Sequence, residues 1–544
     1  MADRADQAGK AVMSVDVGTG SARAGVFDQN GRLLGRAEQP ILMQRPLADH
    51  AEHDSEDIWQ AVAAAAKAAR AEAGIAPQSV VGISFDATCS LVALDRDGRP
   101  VSVSTTGEDR WNTIVWMDHR AIAEAEECTA SGHAVLDQVG GVMSPEMEIP
   151  KLMWLKRHLP DAWRRYGRLL DLADFLTFRA AGSNERSCCT VTCKWTYLAH
   201  EQPGWRVDFL GAMGLDDLFE RTALPKRAVS VGTSLGKLTE VAAADLGLTT
   251  ACEVGAGLID AHAGALAALG PYLGDSRSSV DGESSIGSLD QRIGLIAGTS
   301  TCHMALSREP RAVPGIWGPY FGAVAPDFWL NEGGQSATGA LLDHILAWHG
   351  EGRALGDGAH QAVLDRIDKL RTAEGAAFAE RLHVLPDFHG NRSPLADPHA
   401  VGVISGLTLD SSFDSLARLY YRTAVGIALG TRHILDALND KGYAIDHLHV
   451  AGGHTKNPLL MMLYADTTGC KVVTSAEDDV VLQGTAIVAA CAAGLYADLG
   501  EAAAAMAKEG QVIEPDASRR AAFDRDYRVF LTMHDQRGAL DRLT

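Results

Sequence analysis

No stretch of the 544 residues approaches the run of roughly 20 apolar residues needed to span a bilayer. The start, MADRADQAGK, has no apolar segment of the secretory type. Basic residues are in deficit, with 49 Lys and Arg against 70 Asp and Glu, for a formal charge of −21. Nucleic acid or an anionic membrane would need a basic surface, so neither is expected as a partner. Cysteine is sparse and odd in number, nine residues scattered from Cys89 to Cys491, which excludes the paired framework of a small secreted domain. Together these absences predict a cytoplasmic protein with reduced thiols and a small-molecule partner; homo-oligomerisation stays open.

What is present is ample core material, 46% apolar residues, in a chain too long for one hydrophobic core. Two large lobes are expected. The run Ala11–Val15 stops at Asp16-Val17-Gly18-Thr19-Gly20-Ser21, and Ala22–Asp28 and Leu33–Ala37 then flank Asn30-Gly31, a strong hairpin signal. The glycine-rich turn therefore lies between antiparallel strands and opens no helix, unlike a Walker loop or a Rossmann fingerprint. Asp54 or Ser55 can cap an alanine-rich helix running to about Ala73, with Gly74 as its stop. A buried strand, Val80–Phe85, leads into Asp86-Ala87-Thr88-Cys89-Ser90, and strands covered by helices imply an α/β lobe.

The serine- and glycine-rich stretch Gly270–Asp290 reads as an exposed connection between lobes. Just beyond it, Arg292–Ala297, then Gly298-Thr299-Ser300-Thr301, then Cys302–Leu306 repeats the pattern of strand, glycine-threonine turn and strand. Paired turns of this kind can grip phosphate groups from two lobes. Asp414–Asn439 reads as a long helix, followed by the strand His447–Ala451, Gly452-Gly453 and a helix entered at Asn457-Pro458. The tail after about Asp498 is alanine-rich and reads as helical.

These residues resemble the FGGY carbohydrate kinases, over about Val12 to Leu495. The markers are Asp16–Ser21, Trp116-Met117-Asp118-His119-Arg120, Gly257-Leu258-Ile259-Asp260-Ala261-His262, Gly298-Thr299-Ser300 and Ala451-Gly452-Gly453. The family's Lys-x-x-Trp pattern is recognisable at Lys151-Leu152-Met153-Trp154, although Glu148 stands where a small residue or proline is usual. Asp86–Val92 is similar to the D-ribulokinase branch, and Glu332-Gly333-Gly334-Gln335-Ser336-Ala337 to ribulokinases generally. The resemblance implies a two-lobe, actin-like ATPase of the α/β class, each lobe on a ribonuclease-H-like sheet, with a catalytic cleft between lobes. It divides the chain into an N-terminal lobe at 11–270 for sugar and phosphate, a C-terminal lobe at 291–498 for nucleotide, and a helical extension at 499–544.

The expected reaction is phosphorylation of a pentulose by ATP with Mg²⁺, D-ribulose first, with L-ribulose, D-xylulose or ribitol as alternatives. By resemblance Asp260 is the general base and a metal and sugar ligand, and Asp16 orients Mg²⁺. Gly18, Thr19, Ser21, Gly298, Thr299, Ser300, Gly452, Gly453 and Asn457 would bind ATP. Thr88, Cys89, Asp118, Lys194 and Glu332 would contact sugar. Each has a plainer reading: Asp260 as a helix cap, the glycine turns as hairpin connections, the charged residues as a solvated surface. An actin-like or Hsp70-like ATPase without a sugar substrate is a rival of another class, and a catalytically dead sugar sensor a second. Cys188-Cys189 with Cys193 invites a zinc reading, but no second Cys-x-x-Cys or His pair lies at finger-like spacing.

Overall fold

The computed structural model describes residues 9–274, 289–356, 358–375 and 378–543. Its backbone forms two compact units that interleave in sequence. The first comprises Met1–Leu289, Leu306–Asn331 and Ala476–Lys508; the second comprises Asp290–Ala305, Glu332–Ser475 and Glu509–Thr544.

The main sheet of the first unit grows from the hairpin of Ala11–Val17 and Ser21–Asp28, paired antiparallel with Asp16 opposite Arg23. Its strands run in the order Ser234–Lys237, Glu253–Gly255, Val80–Ala87, Ala11–Val17, Ser21–Asp28, Leu33–Pro40. Val80–Ala87 lies parallel to Ala11–Val17, so Asp86 falls beside Asp16, and the short strand Leu258–Ile259 lies on its other side with Leu258 beside Asp86. The first strand is buried at every position, as a central strand covered on both faces must be.

Helix Ser55–Ala73 packs on Ser21–Asp28 and Leu33–Pro40. Its start is fixed by the Asp54 side chain, which accepts from Glu56 N and Asp57 N, and its end by Gly74 in the left-handed conformation, φ 65°. Helix Val480–Ala492 packs on Ala11–Val17 and Val80–Ala87 and also meets the helix Asp260–Leu269. That approach needs glycine: a Cβ at Gly82 would sit 2.5 Å from Ala489 O. A second, five-stranded sheet in this unit contains Leu91–Leu94 and Thr113–Ile114, so Thr88–Ser90 connects two sheets.

In the second unit Arg292–Ala297, His447–Ala451, Lys471–Ser475 and Glu509–Ile513 are successive neighbours in one sheet. Arg292–Ala297 is antiparallel to Thr301–Ser307 and parallel to His447–Ala451. This is the local arrangement of the first unit again, which is the physical content of the repeated turn pattern. Helix Phe413–Asn439, with Ser412 as its cap, is buried on all sides from Leu419 to Thr431, as a helix inside a core must be.

Two expectations change. Gly270, Tyr272 and Leu273 are buried, so the stretch read as an exposed connection begins inside the core, while 275–288 lie outside the described residues. The tail is not wholly helical. After the helix Leu499–Met506, Glu509–Ile513 adds an antiparallel edge strand against Lys471–Ser475, before the helix Arg520–Asp541. Four of that strand's five residues are exposed, so no alternation of apolar and polar residues announces it.

Candidate active site

Three aspartates gather where three adjacent strands of the first unit end. Asp16 and Asp86 are fully buried side-by-side neighbours, and Asp260 opens its helix directly after Ile259. Asp16 pairs with Arg23, the residue opposite it in the hairpin. Burial drives the Asp16 carboxyl up to about 6, against the pull of Arg23 and with help from Asp260. Asp86 is raised well above the usual carboxylate range, first by burial and then by Asp16. Thr485 donates to its Oδ2.

Asp16 Oδ1 and Asp86 Oδ1 are buried without a hydrogen-bond partner. Buried acceptors left unsatisfied are costly, and a set of hard carboxylate oxygens is the donor chemistry a Mg²⁺ ion takes. The residues therefore fit that ion. Asp86 and Arg23 were not singled out as site residues by sequence reasoning; the signal was the aspartate ending the buried run Val80–Phe85, the counterpart of Asp16 ending Ala11–Val15.

The glycine turn beside Asp16 is closed by Gly18 N donating to Ser21 O at 3.0 Å. A Cβ at Gly18 would meet nothing nearer than 3.8 Å and one at Gly20 nothing within 4 Å, so these glycines leave room over the turn. Thr19 Oγ1 accepts from Trp116 Nε1 at 2.9 Å, Trp116 N donates to Ser90 Oγ at 3.1 Å, and that hydroxyl lies 3.0 Å from Thr88 Oγ1. The turn, the Thr88–Ser90 segment and the Trp116 loop are thus one network. The Ser21 hydroxyl bonds Glu38 at 2.8 Å. Cys89 is buried, and burial pushes its thiol up to about 12, an unreactive group that offers shape.

Asp118 is fully engaged inside the first unit. Its Oδ2 accepts from Ala51 N at 2.6 Å and Arg120 Nη2 at 2.7 Å, and its Oδ1 from Arg120 N at 3.0 Å and Nε at 2.8 Å. Arg120 also reaches Glu52 at 2.8 Å and stacks over Trp154. Lys194, at the end of the short helix Cys188–Lys194, is buried with its ammonium 4.4 Å from the Trp317 ring centre.

The remaining candidates lie in the second unit. Gly298 N donates to Ser300 O at 2.8 Å, and Thr299 O accepts from Thr338 N at 3.0 Å. The two glycine loops of this unit meet: His454 Nε2 donates to Gly298 O at 3.0 Å, while its Nδ1 accepts from Tyr464 OH at 3.0 Å. Gly452 has φ 88° and its Cβ would sit 2.6 Å from Ala297 O, whereas a Cβ at Gly453 would meet only that same oxygen, at 4.0 Å. Asn457 caps the helix Pro458–Thr468, accepting from Leu459 N and Leu460 N. Glu332 is buried within Trp329–Gln335. His454 was missed by sequence reasoning, for the residue after Gly-Gly carries no local signal of what it will touch.

The model of the N-terminal domain of the FGGY family of carbohydrate kinases matches residues 11–267, and that of the C-terminal domain matches residues 294–493. An FGGY carbohydrate kinase domain-containing protein of Xenopus laevis is 44% identical over 534 residues, covering 96% of each chain. A D-ribulokinase of Saccharomyces cerevisiae is 38% identical over 521 residues, covering 90% of this chain and 72% of that protein. Among solved structures, a xylulose kinase from Rhodospirillum rubrum has a TM-score of 0.78 at 23% identity, covering 98% of this chain and 99% of that one. The chain belongs to the FGGY family of carbohydrate kinases. It is an enzyme that phosphorylates a carbohydrate, on the actin-like two-domain α/β fold, and the readings as a sugar-free filament or chaperone ATPase fall away. No helix among the described residues is long and apolar enough to cross a membrane.

Proposed function

We propose that the protein transfers the γ-phosphoryl group of ATP to D-ribulose, giving D-ribulose 5-phosphate and ADP. The observation that carries the reading is the trio Asp16, Asp86 and Asp260, with two buried carboxylate oxygens lacking hydrogen-bond partners. Family membership implies ATP as the donor. Mg²⁺ would be held by Asp16 and Asp260 with Asp86 beside them, and when bound it supplies neutralisation of phosphate charge. Asp260, exposed enough to meet a substrate, takes the proton of the sugar hydroxyl as its oxygen bonds to phosphorus and the bond to ADP breaks. Gly18, Thr19 and Ser21 border the phosphates through the backbone of their turn. Gly298, Thr299, Ser300, Gly452, Gly453 and Asn457 form the nucleotide side.

For the sugar, Thr88 and Cys89 give a small, weakly polar wall, and Lys194 and Glu332 supply hydroxyl partners. Asp118, with both oxygens taken, holds the Trp116 loop in place. The choice of D-ribulose is supported by the D-ribulokinase-like segment Asp86–Val92 and by the 38% identity to a yeast D-ribulokinase. A site that hydrogen-bonds hydroxyls rejects analogues that leave its polar groups unpaired. D-ribulose should therefore give the highest kcat/KM among D-ribulose, L-ribulose, D-xylulose, ribitol and glycerol, measured as ADP release under one set of conditions. A higher value for D-xylulose or glycerol would overturn the substrate assignment.

A further inference from the structure

The short helix Cys188–Lys194 and the helix Asp260–Leu269 bring together three side chains that the phosphoryl transfer does not use: Cys189, Cys193 and His262. All three are buried, and their ligating atoms lie within 4.8 Å of one another. Cys193 Sγ is 3.3 Å from His262 Nε2, and Cys189 Sγ accepts from Ile259 N at 3.4 Å. Cys189 and Cys193 are four residues apart, which puts both thiols on the helix face turned to His262. Sequence spacing gave no finger-like pattern because the third ligand comes from a helix about 70 residues later.

We propose that Cys189, Cys193 and His262 form a binding site for a thiophilic divalent cation of the zinc class, separate from the carboxylate site for Mg²⁺. Tetrahedral zinc with sulfur and nitrogen ligands sets those atoms roughly 3.5–3.8 Å apart. Cys193 Sγ and His262 Nε2, 3.3 Å apart, already stand close to that spacing. Two thiols give up their protons to the solvent as two metal–sulfur bonds form, and the imidazole donates its lone pair. The product of one divalent cation and two thiolates has no net charge, which suits a fully buried position. Soft sulfur ligands select against Mg²⁺, while hard carboxylates select for it, so the two sites sort cations by chemistry.

The site also has a route to catalysis. Ile259, whose N–H rests on Cys189 Sγ, directly precedes Asp260, so a cation drawing Cys189 inward shifts the start of the helix that carries the proposed base. Occupancy should lower turnover, a consequence that rests on the kinase mechanism proposed above; binding itself does not.

The test is titration of the full chain, reduced with a non-thiol reductant and supplied with excess Mg²⁺, using Cd²⁺ as probe. One equivalent should bind, with thiolate-to-metal charge-transfer absorption and release of about two protons. Cys189→Ser and Cys193→Ser should each weaken binding by at least about 10- to 100-fold, while Cys302→Ser and Cys491→Ser, at partly exposed cysteines, should bind as the native chain does. ADP release should fall as the site fills and recover on chelation. Absence of a one-equivalent thiolate complex in the native chain overturns the proposal even if the variants fail to fold. So does binding that survives both core substitutions or is lost with the control pair. Binding without any change in turnover would retain the site and remove its coupling to Asp260.

Discussion

Asp16 and Asp86 stand side by side on parallel strands, both fully buried, with Arg23 paired to Asp16 and Thr485 donating to Asp86. Burial pushes both carboxyls up toward their protonated forms, and the Asp16 charge pushes Asp86 up further. Asp86→Asn keeps the shape and lets the amide oxygen accept from Thr485. In metal-free buffer the variant should be more stable by roughly 1–2 kcal/mol, while Mg²⁺-dependent turnover drops at least about tenfold. Thermal denaturation with EDTA, set beside turnover against Mg²⁺, checks both halves. Unchanged turnover would remove Asp86 from the site.

Asp260→Asn removes the proposed base without changing its size. Turnover should fall roughly 10²- to 10⁴-fold with sugar and ATP binding retained. Near-native turnover from the purified variant would reduce Asp260 to a helix-start residue.

Asp118 is the anchor of a buried ion network with Arg120 and Glu52. Asp118→Ala leaves Arg120 with half its partners in the core, and should cost about 3–5 kcal/mol of stability. The sugar KM of the folded fraction should change little. A variant of native stability with a KM raised tenfold would instead put Asp118 against the substrate.

Gly452 and Gly453 are adjacent yet differ in what they need. Gly452 holds a left-handed φ of 88° against Ala297 O, so Gly452→Ala should destabilise by about 1–3 kcal/mol. Gly453 has open space for a Cβ, so Gly453→Ala should fold normally and Gly453→Val should act on the apparent ATP constant more than on the sugar constant. Chemical denaturation and paired KM measurements separate the two, and equal stability losses would contradict the assignment.

Asp387, in the second unit, is buried with Asn391 donating to its Oδ1 and His534 3.6 Å from its Oδ2. Burial lifts its carboxyl to about 7. Because the folded state holds that proton more tightly than the unfolded chain, this group's contribution is fully present below its ordinary value and declines as pH rises to about 7. Asp387→Asn should remove the decline, so that its stability advantage over the native chain grows by roughly 1–4 kcal/mol between about pH 4 and pH 7. Urea unfolding at both ends of that range is the measurement; a constant difference would mean Asp387 does not titrate there.

Local physics made much of this molecule readable in advance. The hairpin around Gly18–Ser21 followed from two apolar runs and a turn, and helix Ser55–Ala73 from a capping aspartate and a terminating glycine whose φ only glycine adopts cheaply. The strand, glycine turn and strand pattern, occurring twice, carried the two hairpins, because backbone turns at strand ends are written in a few consecutive residues, while Asp260 was pointed to by the family resemblance of Gly257–His262. What the sequence could not decide were relationships set by register and packing between distant segments. That Asp86 lies beside Asp16 depends on the parallel pairing of strands separated by a helix, and that Asp118 is spent on Arg120 depends on a fold bringing Glu52 to the same point. The gathering of Cys189 and Cys193 with His262 depends on two helices meeting. The edge strand Glu509–Ile513 is held by hydrogen bonds to Lys471–Ser475 and buries almost nothing, so its own side chains carry no trace of it. Composition and local pattern fix which elements form and which residue types are available; only tertiary pairing decides which charges share a buried space, and so which are chemistry and which are structure.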